Sequence, residues 1–415
     1  MQGTQDTPAQ RARFGDAAAL ADALTDSRLD TLQTFAAFEA ALPTLRVPQA
    51  EELNPPLWEL GHIGWFQTYW TTRNLGRTLG WRADPHALRA PPTRANADAL
   101  YDSRLVAHAH RWTLPLPDAQ TTRMDLAAQL TDTLDLLASA EKHGHDGLYF
   151  FRLVLLHEDM HHEAALFMAQ ALGVPIADAR WQPRDLPTPG PALQLPARRW
   201  VLGADPDAGF AFDNECGHQS VDLPDARIDR QVLRWCDYLP FAEAGGYAQA
   251  HWWSAQGWQW LQSRPSLGTD ADAAAPRYLR REGSTWQQWR YGHWRALSPN
   301  EPACHLSWHE AQAWCLWAGR RLPTEAEWDW AATHAPQDFR WGDTWEWTAS
   351  AFEPYAGFCP HPYREYSAPW FDGRPVLRGA SFMTQARMRH PRYRNFFPPE
   401  RNDISAGFRT CDLTV

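Results

Sequence analysis

Apolar positions in the first 175 residues recur at helical spacing. Asp16 to Leu42 is rich in Ala and Leu at that spacing, and Pro43 ends it. Similar patterns cover Leu57 to Leu75, Met124 to Lys142 and Gly147 to Leu172. Asn54-Pro55-Pro56 is a start signal for the second, because proline in the first turn gives up no amide the helix needs; Gly173 is a stop for the last. Four long helices joined by loops, one of them the Pro-rich stretch Asp84 to Thr93, predict a four-helix bundle.

The pattern changes between Trp181 and Pro196, where Gln182-Pro183, Leu186-Pro187 and Pro189-Gly190-Pro191 have the composition of an extended linker. Beyond it, short apolar stretches such as Arg199 to Leu202 and Pro375 to Arg378 alternate with Gly, Pro and Asp turns. One clear helix, Ser307 to Ala318, opens with a serine followed three residues later by Glu310, a capping box. The expected fold is thus a multidomain α+β chain. It has a disordered leader at 1–15, a helical metal-binding domain at 16–180, a linker at 181–196 and an irregular α+β domain at 197–415. At 415 residues the chain is long enough for two cores.

Composition narrows the function classes. Hydrophobic residues make up 44% of the chain, but no apolar run nears the roughly 20 residues a membrane span needs. Met1 to Arg13 is polar and lacks the apolar core of a secretion signal, so a cytoplasmic location is expected. The six cysteines form no CxxC pair, which points to reduced thiols rather than a zinc knuckle or a disulfide scaffold. The net charge of −10 arises from mixed-sign sequence without basic blocks, which speaks against a nucleic-acid partner. The 24 tryptophans read chiefly as core filling for a half with little regular structure.

The segment Leu156-His157-Glu158-Asp159-Met160-His161-His162-Glu163 carries the chemistry. Residues four apart share a helix face, so His157 and His161 can aim both imidazoles at one ion. His62, in the apolar stretch Leu60 to Phe66, is the best third ligand, with Gly61 and Gly64 leaving room beside it. Three neutral imidazoles leave positions open on an octahedral iron(II), and by ligand preference alone zinc fits as well. His162 points about 100° away and is a poorer ligand. The segment also matches H-E-x-x-H, the zinc-protease motif with glutamate as general base, but no downstream third-ligand motif follows.

With these residues the sequence resembles the ergothioneine-synthase-like sulfoxide synthases. They join a DinB-like helical bundle to a domain of the formylglycine-generating-enzyme, C-type-lectin type. The resemblance runs from about residue 20 to the C-terminus. It rests on His62 to Phe66, His157 to His161, Arg320-Arg321-Leu322-Pro323-Thr324-Glu325-Ala326-Glu327-Trp328, Trp345 to Thr348, Leu377 to Phe382 and Arg394 to Phe397 through Ala406 to Arg409. It implies an iron(II) enzyme that uses O2 to join a thiol to the imidazole C2 of hercynine, the trimethylated betaine of histidine. Asn395 and Phe396 match the family's betaine-binding positions, and Phe397 extends an aromatic wall suited to a quaternary ammonium. The resemblance also implies a tyrosine proton donor, assigned to Tyr355 with Tyr363, Tyr366 and Tyr393 as alternatives.

Two departures bear on the second substrate. Met160 stands where the glutamylcysteine-using branch has glutamine, and Phe397 where it has aspartate; Arg401, which matches that branch's carboxylate-gripping arginine, is retained. The pattern from Asn54 to His62 and from Asn395 to Arg401 is most similar to the selenoneine-forming branch, whose donor is a selenosugar. Coupling to cysteine or glutamylcysteine is the alternative, and a zinc metalloprotease a distant one. Formylglycine generation would need a closely spaced C-terminal cysteine pair; only Cys359 and Cys411 lie in that region.

Overall fold

The computed structural model describes residues 7–264 and 274–413. The N-terminal half is helical: α1 (Pro8–Phe14), α2 (Ala17–Ala41), α3 (Pro56–Trp70), α4 (Ala97–Tyr101), α5 (Ala119–Leu137) and α6 (Gly144–Leu172). The caps are those the chemistry favours. Asp16 accepts the Ala19 amide and Asp118 the Thr121 amide, while Gly173 closes α6 in the left-handed region at φ 71°. The four long helices pack together, α2 on α6 and α3 on both α5 and α6.

Helix boundaries differ most from the sequence expectation at α3 and α5, and α6 begins at Gly144 rather than Gly147. α3 stops at Trp70 rather than Leu75, where the Thr71 hydroxyl bonds the Gln67 carbonyl. α5 runs from Ala119 to Leu137 rather than from Met124 to Lys142, because the Asp118 cap starts it earlier. The leader expected to be disordered at 1–15 is also corrected. Over Pro8–Phe14 it forms α1, capped by Thr7, and buried Arg13 pairs with buried Glu215 at 2.5 Å; residues 1–6 lie outside the described residues.

No helix or strand occupies the stretch between Trp181 and Leu193. Beyond it come α7 (Trp235–Glu243), α8 (Ala255–Ser263), α9 (Trp308–Trp317) and α10 (Glu325–His334), with short strands between. The Ser307/Glu310 capping box forms at the start of α9. One four-stranded sheet orders Leu193–Leu195, Ala226–Ile228, Cys411–Asp412 and Arg320–Arg321, while another orders Asn395–Phe396, Pro375–Gly379, Trp345–Ala351 and Ala406–Gly407. The fold is therefore α+β. In place of two separate cores, the largest apolar cluster runs through both halves, from Ala12 through Trp70 and Phe150 to Trp345 and Phe408.

α6 is the element both halves hold. Asp159 accepts from Ser27 of α2 at 2.7 Å and from Arg387 at 2.8 and 3.0 Å. Glu163 accepts from Trp345 Nε1 at 2.8 Å, Ser381 Oγ at 2.9 Å and Thr384 Oγ1 at 2.7 Å. Two residues before its end, Gln170 trades bonds with the Trp289 and Tyr291 backbone and the Trp289 indole. Buried polar atoms cost stability unless paired, so these bonds fix both the rotation and the height of the helix. Glu163→Ala strips one acceptor from three buried donors, and a loss of about 3 kcal/mol is expected. Thermal unfolding should show a clearly lower Tm than wild type, with Glu163→Gln between the two; an unchanged Tm would mean these bonds do not hold the helix.

Candidate metal centre

Burial is the first property of the site. His62 and His157 are each 3% exposed, and His161 is half-buried. α3 brings His62 and α6 brings His157 and His161, so that one ligand nitrogen from each lies within 4.8 Å of the others. His157 Nε2 and His161 Nε2 are 3.2 Å apart. Two imidazoles bound to one ion by bonds of about 2.0–2.1 Å, at angles from square to tetrahedral, place their nitrogens about 3 Å apart, so the spacing fits.

The outward nitrogens decide what the inward ones carry. His62 Nδ1 lies 2.8 Å from the Tyr101 carbonyl, which only accepts, so Nδ1 holds the proton and Nε2 a lone pair. His161 Nδ1 faces the Glu59 carboxylate, which claims the proton on that nitrogen and turns Nε2 toward the other rings. Such outer partners set tautomer and ring direction in metal sites. Gly61 makes the Tyr101 contact possible: a Cβ there would meet the Tyr101 ring at 2.3 Å. His157 is held by packing, its ring flat against Phe66 with centroids 3.4 Å apart.

The electrostatics favour neutral rings. Burial, with His161 alongside, pushes the His62 imidazole down to about 3, and burial likewise holds His157 well below its ordinary value. For Glu59 burial acts in the raising direction, but His161, with His62 and Arg111, outweighs it and keeps the carboxyl below its usual range. A neutral imidazole beside a carboxylate is the ligand form a divalent ion needs.

Glu158, the glutamate of H-E-x-x-H, does not face this centre. It is 2% exposed and tied to Arg28 of α2 by bonds of 2.8 and 3.1 Å. His162 also turns away, to Thr34 at 3.0 Å and Gln385 at 3.4 Å.

Comparison with known proteins follows this geometry. A family model described as the sulfatase-modifying factor enzyme 1-like domain matches residues 184–344 and 337–412. A hercynine oxygenase of Mycolicibacterium smegmatis is 30% identical, across 94% of this chain and 97% of its own. A hercynine oxygenase of Mycobacterium tuberculosis is 32% identical, across 86% of this chain and 90% of its own. This chain belongs to the hercynine oxygenase family. It is accordingly an enzyme of the oxidoreductase class. A formylglycine-generating enzyme of Thermomonospora curvata, 34% identical, spans only 34% of this chain and 48% of its own length.

The other residues singled out in this hercynine oxygenase family member fall into two groups. Tyr355 does not reach the histidines: it belongs to a second apolar cluster, with the Arg394 guanidinium 4.0 Å above its ring. The tyrosine at the site is Tyr363, whose ring centroid lies 6.1 Å from His157 and 4.9 Å from Phe66. A run of rings continues from it, Tyr363 to Tyr366 at 5.9 Å and Tyr366 to Phe396 at 5.8 Å, and so connects the centre to Asn395-Phe396. Phe396 stacks on Phe352 at 4.1 Å, and Asn395 Oδ1 accepts its neighbour's amide at 2.9 Å. Phe397 lies under Arg401 at 4.9 Å, and Met160 packs partly buried against the main core. Arg401 itself is paired with Asp403 at 2.5 and 2.7 Å.

Sequence reading missed Glu59, the Tyr101 carbonyl and the stacking role of Phe66. Glu59 had a usable signal: a carboxylate in an apolar helix, three residues before His62 and so on its face. The Tyr101 carbonyl had none, because it comes from the end of the short helix α4, whose placement against α3 is set by tertiary packing. Glu59→Gln should weaken divalent-metal affinity by about 10- to 100-fold. Competition titration against a chelator checks this; native affinity in the variant would remove Glu59 from the site.

Proposed function

We propose that this protein is an iron(II)- and O2-dependent enzyme that forms a carbon–selenium bond between the imidazole C2 of hercynine and a selenosugar. The observation that carries the metal assignment is the convergence of imidazole nitrogens, two of them turned by outward bonds toward the same point. Iron(II), when bound there, supplies one-electron activation of dioxygen. His62, His157 and His161 would hold it, within a DinB-like bundle at 16–180 joined through the linker at 181–196 to a C-type-lectin-type domain at 197–415. A cytoplasmic location accompanies this reading.

The protein's own groups suit a betaine. Phe396, stacked on Phe352, and Tyr366 offer aromatic faces to a trimethylammonium, an attraction of roughly 0.5–2 kcal/mol. Asn395 uses its oxygen internally, and its amide nitrogen remains to donate to a carboxylate. Tyr363, rather than Tyr355, is the proton donor in this account: burial raises its phenol and keeps the proton on the hydroxyl until an acceptor of high basicity forms beside it.

The donor class follows from what is already paired. Arg401 is engaged with Asp403, and neighbouring Arg277 with Glu52 at 2.9 Å through each of two nitrogens. Binding a free amino-acid carboxylate would have to compete with these partners, whereas a sugar needs only hydroxyl partners. Coupling of cysteine or glutamylcysteine, with Arg401 freed from Asp403, is the second reading. A zinc protease would need Glu158 at the metal, and it is held by Arg28.

Anaerobic iron loading followed by aerobic incubation with hercynine and, in turn, selenosugar, cysteine and glutamylcysteine tests this by mass spectrometry. The expected product is the hercynine–selenosugar conjugate, lost in His157→Ala together with iron while circular dichroism is unchanged. Conjugates with a thiol donor only would replace the donor assignment, and full activity in His157→Ala would refute the centre.

A further inference from the structure

Beside the His161–Glu59 pair, α2, α3 and α6 line a small, partly open pocket of about 30 Å³. Phe35 and Phe38 of α2, Pro56, Leu60 and Ile63 of α3, and Ala165 and Met168 of α6 form most of its wall. Glu59, His161, Thr31 and His162 are the polar residues that line it. The space suits a single molecule of about the size of water.

The wall chemistry says which molecule. A trapped water makes two to four hydrogen bonds, whereas apolar cavities stay dry and take apolar guests. The polar groups here are mostly committed: Glu59 to His161, and both ring nitrogens of His162 to Thr34 and Gln385. Thr31 Oγ1, buried without a partner, is the exception. The remaining surface is hydrocarbon. Neither Phe66 nor Tyr363, the rings that flank His157, contributes to it, so the cavity lies apart from the aromatic run that leads to Asn395.

We propose that this cavity is a holding site for dioxygen, which approaches the centre from the α2 side while the larger substrates occupy the side of Phe66 and Tyr363. The inference rests on the reading above that the centre consumes dioxygen. It gives a small apolar gas a place to concentrate next to a metal ligand, separated from the polar substrates.

Xenon, an apolar probe of similar size, tests the site directly. Crystals of the full-length protein pressurised with xenon should show an anomalous peak between Phe38, Ile63 and Met168. Ala165→Leu, which fills the space, should lose the peak and raise the KM for dioxygen several-fold. Its kcat at saturating oxygen and its KM for hercynine should stay unchanged. Ala165→Val, a smaller fill, should fall between and covers the case in which the leucine variant does not fold. An ordered water instead of xenon in the wild type, or filled variants with native oxygen dependence, overturns the proposal. Should the wild type make no coupled product with any donor, the functional reading fails, and the xenon map still decides whether the cavity takes an apolar gas.

Discussion

The structure depends on a constraint at two atoms: the Nδ1 protons of His62 and His161 are claimed by acceptors outside the centre. The Tyr101 carbonyl cannot donate, and the Glu59 carboxylate, against His161 Nδ1 with Arg111 nearby, accepts. Each of these imidazoles therefore turns its Nε2 inward, and burial at His62 and His157 disfavours a protonated ring. His157 Nε2 and His161 Nε2, 3.2 Å apart, share a proton or else repel unless a cation lies among them. The helices, glycines and loops around the centre can be understood as what is needed to keep those two bonds in place.

That requirement reaches across the molecule. α6 supplies two of the three rings, and its polar residues are held from the far half by Arg387, by the Trp345, Ser381 and Thr384 donors, and by the Trp289 backbone. The aromatic run from Tyr363 to Phe396 arises from the same far half. A histidine cluster built on helices is thus met by an aromatic wall built on loops and short strands. The continuous apolar cluster keeps the two in register.

Much of this was legible in the sequence. Helical periodicity and proline punctuation located the four long helices, and the four-residue histidine spacing located half the centre. His62 was readable because a polar ring in an apolar helix needs a partner. What was hidden came from contacts made by loops. Tyr363 and Tyr355 lie eight residues apart in one irregular stretch, and no periodicity distinguishes the ring that meets His157 from the one that packs under Arg394. The fate of Arg401 was equally silent, since Asp403 two residues on pairs with it only because the backbone there turns to allow it. The leader looked disordered because its anchoring partner, Glu215, is some two hundred residues away.

The measurement that bears most directly on the centre is anomalous diffraction across the iron edge, on crystals loaded with iron(II) under anaerobic conditions. The account predicts a single iron peak within bonding distance of one nitrogen from each of His62, His157 and His161, with Glu59 still bonded to His161. Iron bound elsewhere, or a centre that stays empty in crystals saturated with the metal, would contradict it.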